Sequence, residues 1–462
     1  EGLDENWIGR VRYLSDEEEL FGVIERRYLY SNASYWYPQA TVSDYATATM
    51  TLTVSADYGI VASGDPDDGN PPVASVEGAT GTRRYTFVAL QPVRYLACLI
   101  TRFAENDTPI REVALEHQDM TTETIRPGVS YDSVALAVEG NRFSRDRIGD
   151  FSTQSAELLQ FYASLLGDLP YPTFTLALSD SRLPGGHSPA YFAVLNQLVP
   201  VRRGQMLTWR TDPVAFSGHP SFFLAHEIAH QWWGQAVGWK NYHEQWLSEG
   251  LAQYFAALYV QQQDGDEAFE DILSELRRWS LRHSDQGPIY LGYRLGQIDD
   301  EPRVFRALVY NKAALVLHML RRLIGDDAFF NGLRRFYHDM RFRVAGTDDL
   351  VRAFETEAKR SLEDFFERWI YDFDLPTLRF DYHTEARLSG QQGETDVILR
   401  FEQQGNPFEI PVTATLRYRQ GPAETVIVPV TGQVTEFRVP LSGRLRDVKV
   451  NEDNAALAEI ER

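Results

Sequence analysis

The chain has 462 residues, roughly three average domains by length, with 43% hydrophobic and 24% charged residues. That balance excludes collagen-like, coiled-coil and wholly disordered chains. A net charge of −21 repels phosphate backbones and argues against a nucleic-acid partner, and the single cysteine, Cys98, excludes an intramolecular disulfide framework. No apolar run approaches the about 18 residues of a membrane-spanning helix. The chain starts at Glu1 rather than Met, so a processed protein or a piece excised from a larger or membrane-attached one is expected.

The first 142 residues read as an all-β domain. Tyr45 to Asp57, Arg83 to Leu90 and Arg94 to Phe103 alternate apolar and polar side chains, and the Gly/Pro/Asp run from Gly64 to Pro72 predicts a surface loop. From 143 to 374 the period becomes mainly helical. Ser152 to Leu166 shows one apolar face, Thr173 to Leu178 a strand, and Leu183 to Pro189 a punctuated turn running into the apolar Ala190 to Leu195. Gly325 interrupts one later helix, and Ser361 to Asp364 predicts a capping box. From 375 to 462 short strands return: Val397 to Phe401, Val412 to Tyr418, Thr425 to Val430 and Phe437 to Val439 predict a small antiparallel sandwich. The fold class is thus α+β and multidomain, in the order β, mainly helical, β.

The chemistry concentrates at His226-Glu227-Ile228-Ala229-His230, within Ser221 to Gly234. Histidines at i and i+4 lie about 40° apart around a helix, so both rings leave one face. Glu227 borders that face without needing to ligate. Leu224, Ile228 and Trp232 occupy the other side, which predicts a buried helix where two bare imidazoles would be costly. Zinc, which prefers neutral imidazole, relieves that cost. A chance match to this motif arises about once in a hundred such chains. A catalytic zinc takes a third protein ligand, and Glu249 in Trp246-Leu247-Ser248-Glu249-Gly250 lies eighteen residues past His230, leaving room for a turn through Gly238 and Asn241 and a return helix. Glu244 competes for that place by distance, or supports the ligands from behind.

H-E-x-x-H, eighteen residues and a glutamate, set in His-Gln-Trp-Trp-Gly and Trp-Leu-Ser-Glu-Gly, resembles the gluzincin family of aminopeptidase N and leukotriene hydrolase. Val309-Tyr310-Asn311-Lys312-Ala313-Ala314 resembles its catalytic-tyrosine helix, Trp36-Tyr37-Pro38-Gln39 its front β-domain, and Phe365 to Pro376 its exit from the catalytic domain. The resemblance implies a thermolysin-like zinc domain between a β-domain and a C-terminal β-sandwich. It further implies a metallopeptidase acting on peptides, with one zinc per chain on His226, His230 and Glu249, and Glu227 activating the zinc-bound water. Tyr310 would stabilise the oxyanion. The alternatives for Tyr310 are a core aromatic, with Tyr290 and Tyr293 in its catalytic place.

One stretch departs from the family. Its aminopeptidases carry Gly-x-Met-Glu-Asn on a strand edging the cleft, where the glutamate grips the substrate's ammonium. Here the matching residues are Gly186-His187-Ser188-Pro189-Ala190, and no Asp or Glu occurs from Ser181 through Thr211. The backbone of Gly185 and Gly186 and the side chain of His187 are the candidate substrate contacts. Three readings stay open: an exopeptidase with its acid elsewhere, a peptidase indifferent to a free amine, or a site recruited to another small substrate. The front domain is shorter than the family's, and no long helical C-terminal domain follows, which predicts an open cleft. The rival class is a binding or scaffold protein on the same fold.

Overall fold

The computed structural model describes residues 27–34, 36–38, 44–67, 81–104, 110–114, 131–141, 143–179, 186–196, 199, 214, 216, 218–298, 301–386 and 395–461. They belong to two compact units. The first comprises 1–210, 215–259 and 334–347; the second 211–214, 260–333 and 348–462.

The first unit opens with strands β1 (Arg27–Tyr30), β2 (Ala46–Ser55), β3 (Gly59–Ala62), β4 (Asp65–Pro66), β5 (Thr82–Val93), β6 (Cys98–Thr101), β7 (Arg111–Ala114) and β8 (Ser133–Gly140). They form the sheets β1-β6-β3 and β2-β5-β4, and β7 and β8 join a third sheet. The predicted strand from Arg94 begins only at Cys98, because the amides before it bond side chains instead of a ladder. Leu96 N–H donates to Tyr37 Oη at 2.9 Å and Ala97 N–H to Ser63 Oγ at 3.1 Å. Within the expected 64–72 loop, Asp65 and Pro66 pair with Val88 and Phe87, and residues 68–72 lie outside the described ones.

Helix α1 (Ile148–Leu166) carries the chain from β8 to the parallel strand β9 (Thr173–Ser179), as a parallel connection requires. Its apolar face buries Phe151, Leu158, Leu159, Tyr162 and Leu166. Strands β10 (Gly186–His187) and β11 (Phe192–Asn196) complete the sheet in the order β10-β11-β9-β8-β7, with β10 antiparallel on the edge. Ala177, Phe192 and Val194 pack with Leu29, Val61, Tyr95 and Leu99, so this sheet shares a core with the first. Helices α2 (Phe222–Ala229) and α3 (Trp246–Asp264) follow. Between them strand β12 (Val237–Trp239) pairs in parallel with β13 (Arg343–Ala345), far along the chain. Gly238 therefore lies in a strand, not in the expected turn.

In the second unit, α4 (Asp266–His283), a π-helical stretch Arg306–Lys312, α5 (Ala313–Ile324) and all but the first residue of α7 (Thr347–Ala358) precede the terminal strands, while α6 (from Asp326 to Met340) begins there and from 334 onward belongs to the first unit. Gly325 separates α5 from α6 as expected. The predicted capping box differs. Leu362 takes the cap position, and Glu355 Oε1 accepts from Leu362 N at 2.8 Å and Ser361 Oγ at 3.1 Å. Strands β14 (Thr377–Ala386), β15 (Thr395–Gln404), β16 (Ile410–Tyr418), β17 (Glu424–Val430), β18 (Val434–Pro440), β19 (Leu445–Val450) and β20 (Glu459–Glu461) form two sheets, β18-β15-β14-β20 and β17-β16-β19. The molecule is mixed α+β and multidomain. Among the described residues, no helix is long and apolar enough to cross a membrane.

Candidate metal and catalytic site

Helix α2 is apolar almost throughout, and Leu224, Ala225, Ile228 and Ala229 are fully buried. It ends at Ala229, and His230 is its C-cap. His230 keeps right-handed helical angles, so the i, i+4 relation survives. Trp232 locks the segment in place. Its indole N–H donates to Asp168 O at 2.9 Å, and its ring meets Tyr162 edge-on at 5.6 Å. The turn after His230 needs Gly234, whose φ is +109° and whose Cβ, were it present, would overlap Ser248 Oγ.

The imidazoles of His226 and His230 meet at 89°, with their Nε2 atoms 3.1 Å apart. Glu249, in the first turn of α3, brings Oε2 to 3.5 Å from His226 Nε2 and 3.3 Å from His230 Nε2. A tetrahedral zinc with bonds of 2.0–2.1 Å has ligand-to-ligand edges of about 3.3 Å, so this triangle fits a zinc face with little adjustment. It is the three-residue metal-ligand cluster found among the described residues. His230 Nδ1 sits 3.0 Å from Trp233 O and 3.2 Å from Ser248 Oγ, which turns its Nε2 lone pair toward the other two ligands. Burial pulls the His230 ring toward neutrality, but the Glu249 carboxylate outweighs it and pushes the imidazole up to about 9. Burial raises Glu249 too, yet His230 and His226 together hold its carboxyl well below the carboxylate range. The donor set thus calls for a cation, held as a shared proton or a divalent ion.

Glu244 turns away from this cluster. Its Oε2 accepts from Thr347 N at 2.9 Å and Thr347 Oγ1 at 2.6 Å. That separates the two glutamates which spacing left in competition.

Glu227, 6% exposed, accepts a short hydrogen bond at Oε2 from Ser188 Oγ. Gly186 of β10 lies so close that a Cβ there would overlap the Glu227 carboxyl. The edge strand and α2 are joined by two glutamines. Gln231 Nε2 donates to Pro189 O at 3.0 Å and Phe192 O at 3.3 Å, while its Oε1 accepts from Tyr191 N at 3.0 Å. Gln235 Nε2 donates to Ser188 O at 2.7 Å and Tyr95 Oη at 3.0 Å. Tyr191 has φ of 75°, strain that its surroundings hold in place. His187, partly buried, is pushed down to about 4 by burial and by His230, so its ring is neutral. Gly185 lies outside the described residues.

Ser188, Gln231, Gln235 and Ser248 were not singled out from the sequence. The available signal was a polar residue inside an apolar run, as with Gln231 before two tryptophans. Tyr310, in the second unit, is half-buried on the π-helical stretch, its ring edge-on to Phe305 at 5.8 Å. Tyr290 packs on Tyr371 at 4.9 Å. Cys98 is buried and its thiol is pushed up to about 12 by that burial, which makes it unreactive.

Residues 221–369 match the Peptidase family M1 domain. Aminopeptidase A of Gloydius brevicauda is 29% identical over 167 residues, covering 35% of this chain and 17% of that protein. Aminopeptidase N of Streptomyces lividans is 27% identical over 168 residues, 35% of this chain and 20% of that protein. The matched stretches thus span a fifth or less of these relatives' own length. In fold the chain is similar to Legionella pneumophila aminopeptidase A, solved in complex with aspartic acid. The TM-score is 0.69 at 14% identity, covering 99% of this chain and 49% of that one.

Proposed function

We propose, from the match of residues 221–369 to the Peptidase family M1 domain, that the chain is a zinc-dependent metallopeptidase of the aminopeptidase type, acting on peptides. The observation that carries this reading is the triangle of His226, His230 and Glu249, with edges of 3.1 to 3.5 Å. Those residues would hold one zinc per chain. When bound, the ion supplies Lewis-acid chemistry to a water and to the scissile carbonyl. Glu227 takes the water proton and returns it to the leaving amine, a general-base role. Tyr310 would donate a hydrogen bond from its hydroxyl to the oxyanion as charge develops there. The reading includes a division at 1–142, 143–374 and 375–462, with a thermolysin-like middle and a C-terminal β-sandwich. A scaffold function is the weaker rival, since a scaffold has no use for a buried base at Glu227.

A specific observation favours a second reading, in which no free amine is required. Strand β10 lies against Glu227 yet carries no carboxylate. The deciding experiment compares peptides with free and acetylated N-termini on zinc-loaded protein, each with a chelator control. Cleavage confined to free amines and lost with zinc supports the aminopeptidase. Equal cleavage of acetylated peptides strikes that word and keeps the peptidase. Turnover that survives chelation, or survives Glu227→Gln, refutes the mechanism.

A further inference from the structure

We propose that Ser188 is a positioning residue that orients the Glu227 carboxylate for proton transfer, an inference that rests on the peptidase reading above. Ser188 Oγ donates to Glu227 Oε2, which commits that oxygen and leaves Oε1 to receive the proton. A single hydroxyl can aim a carboxylate only if the hydroxyl itself is fixed. Here it is: Ser188 is 8% exposed, and its carbonyl is held by Gln235 Nε2 at 2.7 Å. The next residue, Pro189, is held through its carbonyl by Gln231 Nε2 at 3.0 Å. Both glutamines belong to the segment that follows Glu227, so serine and glutamate are set in one frame. Gly186 supplies the other wall. Its bare Cα lets the strand press against the carboxyl, and any side chain would displace the group that Ser188 aims.

Positioning of this kind acts on the reaction step rather than on substrate binding. The test measures Ser188→Ala and Ser188→Thr on a fluorogenic aminoacyl amide and its acetylated counterpart, using whichever the wild type cleaves. Ser188→Ala is expected to lower kcat about ten- to a hundredfold with KM within about twofold of wild type. Zinc affinity should stay at the wild-type value while Tm drops only by the loss of one buried hydrogen bond, and Ser188→Thr, which keeps the hydroxyl, should recover much of kcat. Crystals of zinc-loaded Ser188→Ala should show the Glu227 carboxylate rotated from its wild-type position. Unchanged kcat in Ser188→Ala overturns the proposal. So does a loss that comes with weaker zinc binding, or one that Ser188→Thr does not recover, which would mark a structural role. Glu227→Gln separates the two inferences. Turnover retained in that variant refutes the base itself, whereas turnover lost there but kept in Ser188→Ala refutes the positioning alone.

Discussion

His318 shows how one buried side chain ties the stability of this protein to pH. It lies on α5 at 5% exposure, its ring edge-on to Phe269 at 5.2 Å. Burial first, then Arg322 and Arg321, push its imidazole down to about 3, with Asp326 opposing weakly. An unfolded histidine titrates near 6.5. Between those values the unfolded chain binds a proton that the folded chain refuses, so stability is intact above pH 6.5 and falls as acid is added. The slope reaches about 1.4 kcal/mol per pH unit. Replacing His318 with Leu removes that dependence. Denaturant melts of metal-free wild type and His318→Leu should therefore differ more at pH 4 than at pH 7, with the variant gaining on the wild type in acid. Parallel pH profiles would show that the ring is not held neutral. Its neighbours Leu317, Met319 and Leu320 are apolar and buried with it, as a local period that reports burial requires.

At the scale of elements, hydrogen bonds from Gln231 join the segment after α2 to the turn between β10 and β11. Gln231 satisfies Tyr191 N–H and the carbonyls of Pro189 and Phe192, all buried. In Gln231→Leu these groups keep the desolvation cost and lose their partners, a penalty of roughly 2–5 kcal/mol when summed. The positive φ of Tyr191 also loses its restraint. The variant should melt at lower denaturant, and hydrogen exchange should accelerate across 186–195 while β15 and β16 stay protected. Uniform exchange behaviour would deny the joint its local role. The elements also show what was legible. The two histidines were readable because a helix repeats every 3.6 residues, a local property. The setting in Trp-Leu-Ser-Glu-Gly and the family resemblance name Glu249 over Glu244, whereas the partner that occupies Glu244, Thr347, lies 103 residues beyond it and was not readable. Ser188 reaches Glu227 across 39 residues, and β12 finds β13 only in the folded chain. No spacing rule encodes such meetings.

Across the whole molecule, the β, helical, β order followed from the change in period, whereas the compact units are discontinuous. The segment 334–347 belongs with the first unit because β13 pairs with β12. Charge acts at this scale as well. A net −21 surrounds the molecule with a negative potential that gathers cations and repels anions. If the protein is the peptidase proposed, kcat/KM for a peptide with lysine or arginine residues should fall as salt is added. For an acidic peptide of equal length it should rise. The Debye length shrinks from about 30 Å at 0.01 M to about 8 Å at 0.15 M, so most of the change should lie in that interval, amounting to several-fold for a multiply charged substrate. The effect should appear at substrate concentrations well below KM and vanish at saturation, because the field alters encounter and leaves the chemical step untouched. Equal salt slopes for basic and acidic peptides would mean that the acidic residues lie too far from the path of approach to steer it. Selectivity would then rest on the contacts of β10 and its neighbours.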